Sequence, residues 1–390
     1  MGLALIMLLS FSCNSPSKTN TTSSSTSLQT AEQVMSTYVE EGKLSGISVL
    51  TLKDGEILHQ FSCGFANIEE NRPMKEETIF RIYSMSKPIT AAALMILFDE
   101  GEFQLDDPVT DYIPGFSSTK VWVDGRELAQ EEAFTIRHLL THTAGFCYGW
   151  APNSHVDSLY SQGAQGGIWS ADTLEGMINL LATIPLKNQP GSKWEYSVSI
   201  DVAGYLVEVL SGLPFDDFLQ TRVFDPLKMG DTGFQVDEQN FDRLAMIYSE
   251  NGDSLLPVSN LTNQVKEEVK LFSGGGGLVS TISDYARFGQ MLLNGGALED
   301  VRILEESTVK LIMSDQMPST CTFKKGMGYG LGGQVNLKTG AYSWSGMAST
   351  YFVADPKNNM VVLAFTQYIS RPAIPFAAEY QELIEESLEP

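Results

Sequence analysis

Cysteine is scarce. There are four in 390 residues, Cys13, Cys63, Cys147 and Cys321, and no two stand at a Cys-x-x-Cys spacing. Histidine is as rare, with four, and no Cys/His cluster or His-Glu-x-x-His pair occurs. No metal centre and no cofactor are therefore called for. Neither the Gly-x-Ser-x-Gly elbow of a common hydrolase class nor the phosphate-binding Gly-x-x-x-x-Gly-Lys is present. Basic residues number 25 against 48 acidic ones, a net charge of −23, spread along the chain. Nucleic-acid binding wants a basic face, so it is excluded. A single disulfide among Cys63, Cys147 and Cys321 has no preferred pairing; three unpaired thiols in packed positions is the simpler reading.

What is present begins at the N-terminus. Leu3 to Leu9 is apolar, Ser10-Phe-Ser-Cys13 follows, and small polar residues run to Ser27. The pattern resembles a bacterial lipoprotein signal over residues 1–13, with an ordinary secretory signal as the alternative. The resemblance implies lipid attachment at Cys13 and an exported, periplasmic or cell-envelope protein, with the outer membrane expected. The anchor would be the sole tie to a membrane. Residues 14–27 read as a flexible linker.

Beyond it, Leu28 to Glu41 carries a helical apolar stripe stopped by Gly42. Residues 47–52 and 56–61 read as strands around Asp54-Gly55, a hairpin signal. The stretch from about 106 to 230 shows helices and no convincing strand. Residues 146–170 read as a long aromatic loop, of the kind that often binds ligands. Strand patterns return at 329–335, 341–345, 350–354 and 360–365, and a last amphipathic helix spans 374–388. The expected fold is an α/β sandwich lobe, an antiparallel sheet flanked by helices, from residues 28–105 and 270–390. An all-α lobe from 106–269 is inserted into it, with a cleft between, where ligands prefer to bind.

The chain is organised around Phe80 to Leu97. Ser84 and Lys87 stand three apart, and Ile89 to Phe98 is apolar except for Thr90. A helix apolar all round is buried, and residues three apart share a face. A hydroxyl and an amine at the mouth of a rigid buried helix suit nucleophilic catalysis. The spacing alone is weak, since Ser-x-x-Lys also occurs at Ser15, Ser117 and Ser307, the last read as a helix N-cap. Two downstream elements raise Ser84 above the others: Trp194-Glu-Tyr-Ser-Val-Ser199 and Trp344-Ser-Gly-Met347.

With those elements, the chain resembles the serine β-lactamases and penicillin-binding proteins, and most of all the class C-like hydrolases that include the family VIII carboxylesterases. The markers are Ser84-Met-Ser-Lys87, Leu105-Asp-Asp-Pro108, His138 to Gly145, Tyr196-Ser197, Gly276 to Thr281, and Trp344-Ser-Gly346 before Tyr351 to Pro356. The resemblance implies a β-lactamase/transpeptidase-like fold, with Ser84 as nucleophile and Lys87 and Tyr196 as its coupled base. It implies an oxyanion hole from the amides of Ser84 and Met347. A lysine with a pKa of about 10.4 or a tyrosine of about 10 is a poor base alone, which is why the pair is needed. Trp344, Ser345, Gly346, Tyr148 and Trp150 are the expected substrate-binding residues. His138 and His142 read as structural.

Two departures carry weight. Val198 stands where many relatives have the Asn of Tyr-x-Asn, and Trp344-Ser-Gly346 where many have Lys-Thr-Gly. Lys338-Thr-Gly340 is a decoy, because its interval to Tyr351 is wrong for the final hairpin. Both changes, and Asp201-Val202, resemble the carboxylesterase branch. The expected activity is serine hydrolysis of esters or related small acyl compounds, with β-lactam turnover weak or absent. Alternatives are an acyltransferase using an alcohol or amine acceptor, a β-lactamase or D-amino-acid peptidase, and a non-catalytic cell-wall or β-lactam sensor.

Overall fold

The computed structural model describes residues 21–388 except 152, 163–166, 253, 371 and 372, with side chains described from residue 27 onward. Cys13 and the signal at 1–13 lie outside those residues. Eight strands form the main sheet: β1 (Gly46–Lys53), β2 (Glu56–Asn67), β3 (Arg72–Pro73), β4 (Met327–Tyr329), β5 (Gln334–Asn336), β6 (Tyr342–Ser345), β7 (Tyr351–Asp355) and β8 (Met360–Phe365). Their order is β4-β5-β6-β7-β8-β1-β2-β3, antiparallel at every pairing. The first strand therefore lies beside the last, with Leu50 opposite Leu363. Asp54 and Gly55 both have positive φ, as a tight two-residue hairpin requires.

Side chains alternate across a strand, so β8 serves two cores. Val361, Leu363 and Phe365 face one layer, and Met360, Val362 and Ala364 face the other. The second layer is made by α1 (Thr21–Glu40) and the C-terminal helix α5 (Phe376–Ser387), through Met35, Tyr380 and Ile384. On the first face α4 (Ile282–Leu293) packs against β1, β7 and β8, and in the same core α2 (Ser86–Asp99) packs on α3 (Ser199–Ser211). Helix α2 is buried from Ser86 to Leu97, as a run apolar from Ile89 onward but for Thr90 requires. One apolar core joins α2, α3 and the helical region around Leu139 and Leu181 to the sheet. Among the described residues no helix is long and apolar enough to cross a membrane.

Several expectations are corrected. Helix α1 starts at Thr21, inside the expected linker, because extending a docked helix is cheaper than nucleating one. A short hairpin, Val121–Val123 with Arg126–Leu128, interrupts the helical region around Asp124-Gly125; strands of three residues leave no readable alternation. The loop at 146–170 contains a helix, His155–Gln162, and a tight turn, Ile168–Ser170. The run at 329–335 is two strands, β4 and β5, because Gly332 turns the chain with φ 78°. Ser307 lies inside its helix, whose N-cap is Glu305. The reading of Cys63, Cys147 and Cys321 as unpaired thiols, by contrast, holds.

Candidate active site

Ser84 sits in a tight turn, Tyr83–Met85, that leads directly into α2 rather than in the α-helix itself. The turn is strained: Tyr83 has φ 44°, in the left-handed region that non-glycine residues avoid. It is held from several sides. Ser86 Oγ donates to Tyr83 O at 2.7 Å and accepts from Leu278 N at 3.1 Å. Tyr285 Oη, from α4, donates to Met85 O at 2.8 Å. Over-determination of this kind is what lets a strained turn persist.

Three side chains meet at its tip. Lys87 Nζ lies 3.1 Å from Ser84 Oγ and Tyr196 Oη lies 2.7 Å from it. Lys87 is fully buried, and its ammonium also donates to Gly275 O at 2.5 Å. It stands 4.7 Å from the centre of the Tyr196 ring, within cation–π range. Tyr196 ends an extended segment just before α3. Lys187 fastens that segment, pairing with Glu195 at 2.6 Å and with Asp157 at 3.0 Å. Asp157 belongs to the His155–Gln162 helix and its Oδ1 accepts from Ala151 N at 3.2 Å, next to the Tyr148–Trp150 stretch, whose Tyr148 ring stands 5.1 Å from that of Tyr196.

The C-terminal end of β6 closes the other side. Gly346 N donates to Thr350 O at 2.8 Å, and Thr350 Oγ1 to Ile82 O at 3.3 Å. A Cβ on Gly346 would come within 2.3 Å of Ile82 O, so only glycine lets this strand approach the Ser84 turn. Met347 follows it, and both Met347 and Ser84 line one cavity of about 1010 Å³. Its wall includes Tyr148, Trp150, Trp169, Trp194, Tyr196 and Trp344. Tyr148 stacks on Trp150 at 4.4 Å with planes 8° apart, and Trp344 stands 5.6 Å from Tyr196. Burial, then the neighbouring Tyr196 and Asp201, push the Tyr148 phenol well above its ordinary value, so it stays a neutral donor.

The expected residues thus gather in one cavity: Ser84, Tyr196, Tyr148, Trp150, Trp344, Ser345, Gly346 and Met347 line it, and Lys87 lies behind Ser84. The decoy does not join them. Lys338 is exposed in the turn between β5 and β6, and Gly340 borders a separate pocket. Sequence reasoning missed two members. Gly275 supplies the carbonyl on Lys87; the run of four glycines at 274–277 signalled a close backbone approach and nothing finer. Asp201 is fully buried, and its Oδ1 accepts from Ser273 Oγ at 2.5 Å and Gly275 N at 3.0 Å. Burial pushes its carboxyl up, against Ser273, Lys87 and the Gly275 amide. In the sequence Asp201 stands out only through the resemblance of Asp201-Val202 to the carboxylesterase branch, which carries no sign of these contacts. His142 packs 4.9 Å from Tyr196, and its Nδ1 meets Ser197 Oγ at 3.1 Å.

Residues 31–382 match the model of the family described as Beta-lactamase. An uncharacterised protein of Mycobacterium tuberculosis is 31% identical over 367 residues, 87% of this chain and 90% of its own length. Esterase EstB of Burkholderia gladioli is 38% identical over 219 residues, 56% of this chain and 53% of that protein. Among solved structures, EstCE1, described as a hydrolase with promiscuous acyltransferase activity, superposes with a TM-score of 0.74 at 26% identity, covering 94% of this chain and 98% of its own.

Proposed function

The chain belongs to the Beta-lactamase family, and from that membership we propose that it is a serine hydrolase forming a covalent acyl-enzyme on Ser84, acting on esters or related small acyl compounds. The observation that carries the reading is the pair of short distances at one hydroxyl: Lys87 Nζ at 3.1 Å and Tyr196 Oη at 2.7 Å from Ser84 Oγ. A serine hydroxyl is a weak nucleophile until a neighbouring base takes its proton. In this mechanism Ser84 Oγ attacks the acyl carbonyl as the Lys87/Tyr196 pair accepts its proton. The carbonyl oxygen becomes an oxyanion, stabilised by the amides of Ser84 and Met347. Collapse breaks the bond to the leaving oxygen, which takes the proton back from the pair and departs as the alcohol. Water then attacks the acyl-enzyme, its proton passing through the same pair to Ser84 Oγ.

The aromatic wall favours a bulky, apolar partner in the second step. That supports a companion reading, transfer of the acyl group to an alcohol or amine in place of water, and EstCE1 carries both activities in its description. The test is intact-mass detection of an acyl adduct after p-nitrophenyl butyrate, with release of nitrophenol followed in parallel. Wild type is expected to show the adduct and multiple turnovers. Ser84→Ala should show no adduct and lose about three orders of magnitude or more in rate. Turnover surviving in Ser84→Ala would defeat the proposal. Added alcohols should divert acyl groups into new esters; free acid as the sole product would defeat the transfer reading.

A further inference from the structure

The cavity at Ser84 has a one-sided charge. Acidic residues outnumber basic ones by 48 to 25 in the chain, yet among the described residues lining this cavity there is no Asp or Glu, while Arg81 and Lys324 border it. Arg81 is the informative one. It is only 7% exposed, and its guanidinium carbon lies 4.5 Å from the centre of the Tyr83 ring. Among the described residues its side-chain hydrogen bonds come from Nη1, which donates to Leu261 O at 2.7 Å and Gln264 Oε1 at 2.8 Å. A guanidinium has five N–H donors. Two are used there, and Nε is buried without a partner. The edge formed by Nε and Nη2, one of those that grip a carboxylate through two parallel bonds, is thus buried in the cavity wall without an acceptor for Nε. Among the described residues no carboxylate pairs with it. Beside it the Tyr83 hydroxyl, in a residue 9% exposed, is also buried without a partner.

Two orphaned donors side by side in the wall of a reaction cavity need an explanation, because burying an unpaired polar group is costly. A protein carboxylate could have closed the guanidinium edge, and among the described residues none does. A ligand carboxylate would satisfy both groups at once and neutralise the charge. Resting on the acyl-enzyme reading above, we propose that Arg81 and Tyr83 form a carboxylate-binding subsite, and that the preferred acyl compound carries a free carboxylate on its acyl chain, as the half-ester of a dicarboxylic acid does. Lys324, exposed at the rim with Nζ 3.3 Å from Gln334 Oε1, adds a positive field that steers an anion inward.

The test has a turnover arm and a binding arm. In the first, p-nitrophenyl half-esters of glutaric, adipic and suberic acid are compared with neutral p-nitrophenyl esters of equal chain length. At one length or more, kcat/KM for the carboxylated ester should exceed its neutral counterpart at least tenfold. That ratio should fall at least tenfold in Arg81→Gln and in Tyr83→Phe, and should shrink as salt is added. In the second, calorimetry should show adipate binding at least tenfold more tightly than pentanoate or adipamide, with the advantage lost in both variants. Tyr83→Phe removes a single oxygen, so it decides the matter should Arg81→Gln fail to fold. Absence of any preference for the carboxylated compounds, or a preference that survives Tyr83→Phe, overturns the subsite. Selective adipate binding without ester turnover would instead leave the subsite standing and overturn the hydrolase reading.

Discussion

At the scale of single residues, His142 shows how a group behind the site is tuned by its surroundings. It is fully buried, it holds φ 56°, and burial, with the Lys87 ammonium adding to it, keeps its imidazole neutral well below the ordinary histidine value. An unfolded chain takes up that proton near pH 6.5, roughly, while the folded one does not. The unfolded state therefore binds more protons below that pH, and stability falls as pH falls. The contribution is whole above about 6.5 and erodes below it by up to about 1.4 kcal/mol per unit. Urea unfolding between pH 7.5 and 5.5 should show a shallower loss in His142→Asn than in wild type. Asparagine suits the comparison because it tolerates the left-handed region. Parallel slopes for the two proteins would rule the account out. Ser84, Lys87 and Tyr196 were all legible in the chain, because three residue types at family spacings name one chemistry. Asp201 was not, because its meaning lies in what folds against it.

At the scale of elements, the glycine run and the glycine at the end of β6 do what no side chain could. A Cβ on Gly275 would lie 2.5 Å from Asp201 Oδ2 and 3.1 Å from Tyr148 Oη. Gly275→Ala should therefore push the loop away from Lys87 and remove its carbonyl acceptor. A displacement of about 1 Å at a catalytic group can cost around 100-fold in rate. A drop in kcat/KM of tenfold or more, with unchanged circular dichroism, is expected for ester substrates; wild-type kinetics would show that the loop does not place Lys87. The hairpin at Asp54-Gly55 was readable because its turn demands those residues. The 121–128 hairpin and the break between β4 and β5 were not, since each strand is three residues long and its pairing is decided by neighbours.

At the scale of the whole molecule, the two ends of the chain build one layer. Helices α1 and α5 cover the same sheet face, and Tyr380 of α5 shares its hydroxyl with Thr51 Oγ1 and His59 Nδ1, each at 2.9 Å. Ile384 is fully buried there, on the face of the sheet opposite α2. Ile384→Ala should cost about 2–5 kcal/mol of stability by leaving a cavity. Thermal or urea unfolding reads that loss, while kcat per folded molecule should stay at the wild-type value. A fall in kcat with an unshifted midpoint would mean that this layer also shapes the site.

The chain on its own determined the buried helix behind Ser84 and the sheet assembled from both ends, because periodicity is a local property, and its resemblance to a family singled out Ser84, Lys87 and Tyr196. It did not determine that the 146–170 stretch folds into a helix bridged through Lys187, nor that a glycine carbonyl and a buried aspartate stand behind the lysine, nor that Arg81 buries its Nε without a partner. Those facts depend on residues scores of positions apart coming within hydrogen-bond reach, and such distances exist only once the core has closed.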